Sequence, residues 1–270
     1  MPHKFHLVSD DEGRKTLTII VGKNTYTVNQ DHEKFDELFA LITNYPNAEE
    51  SSIQELADYE TAIRIKFKRL SPRVSVLHGQ IVFDNDPVDE SIARHIVKCL
   101  KNDDKDWVGL VNFLEKVNCN PEKHSRDQLF KWLDRKDFSI TTEGDIIAYK
   151  GVRDLGNNEY QSTHSGYAIV DGEINESGPV KQTWGNVVEM PRSKVAHDPN
   201  AACSTGLHAG TADYAKGFGN KVLTIVINPC DVVSVPNDSA EKIRVNRYKI
   251  LKSDQNQVYR EPIIDLGRVW

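Results

Sequence analysis

The hydrophobic pattern changes period near residue 139, and this constrains the fold more than any other feature of the chain. Before that point apolar residues recur at three- and four-residue spacing: Phe35, Leu38, Phe39 and Ile42; then Ile92, Ile96, Val97 and Leu100; then Trp107, Leu110, Val111 and Leu114. Such spacing lines one face of a helix. After Phe138-Ser139-Ile140 the apolar runs become short and strand-sized, as in Ile146-Ile147-Ala148-Tyr149-Lys150-Gly151-Val152 and Val222-Leu223-Thr224-Ile225-Val226-Ile227. Turn residues punctuate them, as β-rich chains require. The pattern predicts an α+β architecture: a mixed α/β region over residues 1–138 and a β-rich domain over 139–270. The polar turn Thr141-Thr142-Glu143-Gly144-Asp145 stands at the boundary.

The first region is not purely helical. Thr16 to Val21, a turn at Gly22-Lys23-Asn24 and Thr25 to Val28 read as a hairpin. Asp31 is placed to cap the helix that follows, and Ala62 to Phe67 alternates like a half-buried strand. A second hairpin is expected over Ser75 to Phe83 with its turn at His78-Gly79. Ser125-Arg126-Asp127-Gln128 has capping-box spacing and is expected to open a helix carrying Leu129, Trp132 and Leu133. In the second region the helix candidate is Thr211 to Gly217.

Composition excludes several classes. Lys+Arg is 34 and Asp+Glu is 40, a net charge of −6. A protein that coats nucleic acid with its whole surface is basic, so nucleic acid is not the expected main partner. No apolar run approaches the ~20 residues of a bilayer span. Met1 to Glu12 lacks the apolar segment of a secretory signal and carries an acidic run. Four separated cysteines form no CxxC, so a zinc ribbon is excluded and reduced thiols are expected. No GxSxG, P-loop or GxGxxG motif occurs.

Three groups of residues carry chemistry. Cys203-Ser204-Thr205-Gly206-Leu207-His208-Ala209-Gly210 leads into a short helix bearing Tyr214, which can fold back over the strand from Val222. His164, His197, Cys203 and His208 are donors of the kind that hold zinc or copper, but no two share a helix or turn at ligand spacing, so no metal is expected. Lys242-Ile243-Arg244-Val245-Asn246-Arg247-Tyr248-Lys249 puts Lys242, Arg244 and Asn246 on one side of a strand. It reads either as a charged edge strand or as a cationic strip for a phosphate.

The order of signatures then becomes distinctive. Thr142-Glu143-Gly144-Asp145 and Tyr149-Lys150-Gly151-Val152 are followed by His164-Ser165-Gly166 and Val188-Glu189-Met190-Pro191-Arg192. Next come Cys203 to His208, Asp231 to Pro236 and Lys242 to Tyr248. Over about residues 75–251 this resembles the bacteriophage rIIB family, the rapid-lysis proteins of T-even-type phages. The resemblance implies a non-enzymatic phage accessory protein in the host bacterial cytoplasm. It would modulate lysis or counter host exclusion by binding a phage or host partner, an rIIA-like protein among them. Any association with the inner membrane would be peripheral and through that partner. No catalytic residues come with it.

A more distant similarity is to ADP-ribosyltransferase folds, carried by Tyr149-Lys150-Gly151, Gly206-Leu207-His208-Ala209 and Tyr214-Ala215. It implies a pocket for a small nucleotide-like ligand such as NAD, lined by Tyr149, Lys150, His208 and Tyr214. Rings would stack on the base and an exposed Lys150 would meet a phosphate. Lys150 stands where those enzymes carry His or Arg. No glutamate occupies the last strand in the usual way, Glu241 being nearest. A binder is therefore expected, with an active or degenerate NAD-dependent transferase as the alternative.

Overall fold

The computed structural model describes residues 3–30, 32, 34–58, 67–68, 70–77, 80–101, 104–134, 139–201, 203–238, 241–251 and 263–265. The chain divides into two compact units, Met1–Pro87 and Val88–Trp270.

In the first unit β1 (Lys4–Ser9), β2 (Lys15–Val21) and β3 (Asn24–Asn29) form an antiparallel sheet in that order. Alternation along β2 points Leu17, Ile19 and Val21 inward. They meet Phe35, Leu38 and Ile42 of α1 (Phe35–Asn44) and Ile53 of α2 (Glu50–Ala57), closing one small core. The expected cap Asp31 and residues 62–66 of the expected strand Ala62–Phe67 lie outside the described residues, while Phe67 itself is helical and fully buried. The second hairpin forms as β4 (Val74–Leu77) and β5 (Gln80–Phe83), and β6 (Asp86–Pro87) extends it. Its expected turn, His78-Gly79, is outside the described residues.

The second unit opens with α3 (Glu90–Lys101), α4 (Trp107–Asn118) and α5 (Lys123–Asp134). Strands follow: β7 (Ser139–Thr141), β8 (Ile146–Gly156), β9 (Glu159–Ser165), β10 (Ala168–Val170), β11 (Glu173–Asn175), β12 (Pro179–Thr183), β13 (Val187–Glu189) and β14 (Leu207–Gly210). After α6 (Ala212–Lys216) come β15 (Lys221–Ile227), β16 (Val232–Ser234), β17 (Lys242–Val245), β18 (Arg247–Ile250) and β19 (Ile263–Asp265). The main path of the sheet runs β11-β10-β13-β18-β15-β8-β14-β17-β16, and every pairing in it is antiparallel. The α+β, β-rich character expected from the sequence is present. Among the described residues no helix is long and apolar enough to cross a membrane.

The change of period at 139 falls inside this unit rather than at its edge. The turn after β7 is docked on α4. Gly144, at φ +79, sits against the backbone of Phe113, so close that a Cβ would collide with it. Asn112 Nδ2 donates to the Thr142 carbonyl at 2.8 Å, and Lys116 pairs with Asp145 at 2.6 Å. Further contacts bind helix to sheet. Asn120, 1% exposed, donates to the carbonyls of Pro229 (2.8 Å) and Val232 (2.7 Å). Its Oδ1 accepts from the Glu122 amide and from Arg192. Ser125 does not cap α5, which starts two residues earlier. Its buried Oγ donates to the Val233 carbonyl at 2.7 Å. The stretch from Asn120 to Ser125 is thus an interlock whose partners lie about 110 residues away.

Asn120→Ala would strand two buried carbonyls. We expect a loss of about 2 kcal/mol or more in urea unfolding. A fragment starting at 139 should unfold less cooperatively than one starting at 88, because it lacks the helices that bury these groups. Equal transitions for the two fragments would count against the interlock.

Candidate functional site

The site begins at a place where the sheet opens. Strand β8 pairs with β15 over seven consecutive residues, Lys221↔Val152 to Ile227↔Ile146. On its other side it meets β14 at one bridge, Gly210↔Tyr149. Beyond that bridge β14 pairs with β17, His208 opposite Arg244. A cavity of about 140 Å³ lies here, walled by β8, β9, β14, α6 and Tyr248 of β18. Tyr149, Lys150, His208 and Tyr214 all line it.

Strand alternation explains why an opening is needed. Lys150 stands on the face of β8 that carries the buried Ala148 and Val152, whereas Tyr149 and Gly151 stand on the other. Helix α6 covers that second face. Gly151 lies against the carbonyls of Ala215 and Phe218, and Gly210 against the Glu241 carbonyl and, at 2.8 Å from an added Cβ, Tyr214. Any side chain at either glycine would lift the helix. Thr211 caps α6 by accepting from the Tyr214 amide at 3.1 Å, which fixes where the phenol begins. Lys150 and Tyr214 therefore approach from opposite faces, and they share a cavity because β8 and β14 part between them.

Lys150 is not the exposed cation expected from the sequence. Its Nζ donates to the His208 carbonyl at 3.0 Å and lies 5.5 Å from the ring centre of Tyr248. Burial pulls its pKa down to about 8. Among the described residues it has no carboxylate partner. Burial, then the cations of Lys150, Arg244 and Lys242 and the nearby His164, push the His208 pKa down to about 4. The imidazole is neutral at pH 7. Burial raises the Tyr214 phenol. Phe218 packs on Tyr214 at 4.8 Å between ring centres and on His164 at 6.2 Å. Tyr248 is buried and donates to Gln182 Oε1 at 2.7 Å. Thr163 Oγ1 is buried on the β9 wall with no hydrogen-bond partner among the described residues.

The remaining candidates go elsewhere. His197 pairs with Glu122 at 3.0 Å, Cys203 is an exposed free thiol, and only His164 and His208 of that set reach the cavity. Among the described residues no three His, Cys, Asp or Glu side chains gather as a metal requires. The basic strip is neither an edge nor a phosphate surface. Strand β17 is interior, between β14 and β16. Arg244 is fully buried, donating to the carbonyls of Asp198 and Ala201 and, at 2.9 Å, to Ser234 Oγ. Lys242 is paired with Asp238 at 2.8 Å.

Sequence reading missed Tyr248, Phe218 and Thr163 as lining residues. Tyr248 carried a signal, since it alternates inward between exposed Arg247 and Lys249. Thr163 carried none.

Comparison with known proteins agrees with the order of motifs. No solved structure matches the chain. Protein rIIB of Enterobacteria phage T4 is 26% identical over 249 residues, covering 90% of this chain and 72% of that protein. The family described as Bacteriophage T4 protein rIIB matches residues 7–268, nearly the whole sequence, and the chain therefore belongs to the bacteriophage rIIB family.

Proposed function

We propose that this is a phage accessory protein that acts by binding, with the cavity between β8 and β14 as its ligand site. The observation that carries the reading is the cavity's composition. A buried amine, a neutral imidazole and a tilted aromatic pair surround a space large enough for one ring. An engineered cavity of ~150 Å³ holds benzene, which sets the scale. Convergent polar groups within aromatic walls are the usual features of a small-ligand pocket. In this reading a nucleotide-like ligand inserts its base or nicotinamide and leaves the rest outside. The protein works in the host cytoplasm, where ligand occupancy adjusts its contact with an rIIA-like phage protein or a host factor. That contact modulates lysis or counters host exclusion, and any membrane association runs through the partner.

A second reading, an ADP-ribosyltransferase-like enzyme active on NAD, is favoured by Lys150, His208 and Tyr214 lining one cavity. Against it, no carboxylate lines the cavity among the described residues. An oxocarbenium-like transition state would then lack its stabilising charge. One experiment separates the two. The full chain is incubated with labelled NAD and host lysate, and binding is measured by equilibrium dialysis. We expect saturable binding without transfer of label to protein. Transfer lost in Tyr214→Ala would establish the enzyme instead, and neither binding nor transfer would remove both readings.

A further inference from the structure

We propose that the cavity takes a small anionic aromatic, one planar ring bearing a carboxylate or phosphate, with the anion on Lys150 Nζ. This inference rests on reading the cavity as a ligand site. It comes from a charge imbalance. The chain carries more acidic than basic residues, 40 against 34, yet among the described residues no aspartate or glutamate lines the cavity. Among the described residues, the charged and titratable groups that line the cavity with Lys150 are Tyr149 on β8, His164 on β9, Tyr167 after it, His208 on β14, Tyr214 on α6 and Tyr248 on β18. Lys242 and Arg244 on β17 lie behind His208 and add positive potential. Of the acidic groups at α6, Asp238 is already paired with Lys242 and Asp213 with Lys216.

An ammonium half-buried in a cavity, with no carboxylate beside it among the described residues, is costly, and proteins seldom leave one without a partner. Among the described residues its one hydrogen bond goes to the neutral carbonyl of His208, which leaves two N–H donors for a ligand. An anion would supply the missing charge in a site where the local dielectric strengthens the pair. The ring would lie against the tilted Tyr214–Phe218 pair, whose ring centres are 4.8 Å apart, and Thr163 Oγ1 would donate to the ligand from the β9 wall.

The test uses isosteric probes on the full chain. Benzoate and benzamide have the same ring and differ in charge, and phenyl phosphate and inorganic phosphate separate the carboxylate from the phosphate source. We expect benzoate or phenyl phosphate to bind saturably and benzamide to bind at least about tenfold more weakly, the loss of one charge-assisted contact. Affinity for the anion should fall about tenfold per pH unit above pH 8, as Lys150 releases its proton. Lys150→Met should abolish the preference for the anion. Because that variant also changes a buried residue, the wild-type comparison of benzoate with benzamide decides the matter without it. Equal binding of benzamide would overturn the anion inference and keep the ligand site. Binding of inorganic phosphate as tightly as phenyl phosphate would overturn the ring. Failure of all four probes would overturn the inference, and the NAD dialysis would then stand alone.

Discussion

Lys150→Met is expected to flatten the pH dependence of stability between pH 8 and 10.5. In the folded protein burial holds the Lys150 pKa at about 8, against 10.5 for the free side chain. Below pH 8 both folded and unfolded chains carry the proton, and the cost of burying the charge is fully present. Between pH 8 and 10.5 the unfolded chain keeps a proton that the folded one has released. The unfolded state then binds more protons, so stability rises with pH across this window. The shift corresponds to a climb on the order of 3 kcal/mol. Methionine has no proton to release, so the variant lacks the climb. Tyrosines and cysteines that titrate in the same range are common to both proteins and drop out of the difference. Urea midpoints at pH 7.5, 9 and 10.5 measure it. Parallel curves would mean that the amine is solvated and the cavity is not dry.

Gly210→Ala is expected to be more damaging than its size suggests. The added methyl would sit inside contact distance of the Glu241 carbonyl and 2.8 Å from Tyr214 Cδ1. The carbonyl is backbone and accepts from the Thr211 amide, so it has little freedom to move. Overpacking of a rigid site costs ~1–3 kcal/mol and sometimes more, and we expect about 3 kcal/mol here. Relief would come by lifting α6, which carries Tyr214 away from the cavity and removes ligand binding as well. Gly166 is the control: it lines the same cavity with nothing within 4 Å of an added Cβ. Gly166→Ala should change stability by less than about 0.5 kcal/mol. A Gly210→Ala protein with an unchanged melting temperature would contradict the packing of α6 described above.

Local pattern carried much of this fold. The apolar runs holding Leu17, Ile19 and Val21 and holding Leu223, Ile225 and Ile227 were legible as strands, and the structure buries these residues. The short helix after Gly210 was legible from Thr211, which caps it. Its approach to the sheet depends on Gly151 and Gly210, two residues with no side chain to signal anything. What escaped the sequence was long-range. Glu143-Gly144-Asp145 looks like a linker because its residues are polar and turn-forming, but its partners lie on a helix some 30 residues earlier. Arg244 looks like a solvated strand cation, and only the carbonyls of Asp198 and Ala201 reveal that it is buried. Lys150 misleads in the same way. A lysine between Tyr149 and Gly151 reads as exposed, and its partial burial follows from the parting of β8 and β14 after a single bridge, a property of topology rather than of local sequence.

The central claim is that the opening between β8 and β14 is a binding site. The most direct measurement is a backbone amide NMR titration of the full chain with NAD and with benzoate. The account predicts saturable shifts confined to the cavity walls, at Gly151, Thr163, Gly166, Leu207 and His208, with both ligands perturbing the same set. Shifts spread over the surface, or none at concentrations up to the millimolar range where single-ring ligands bind, would contradict it.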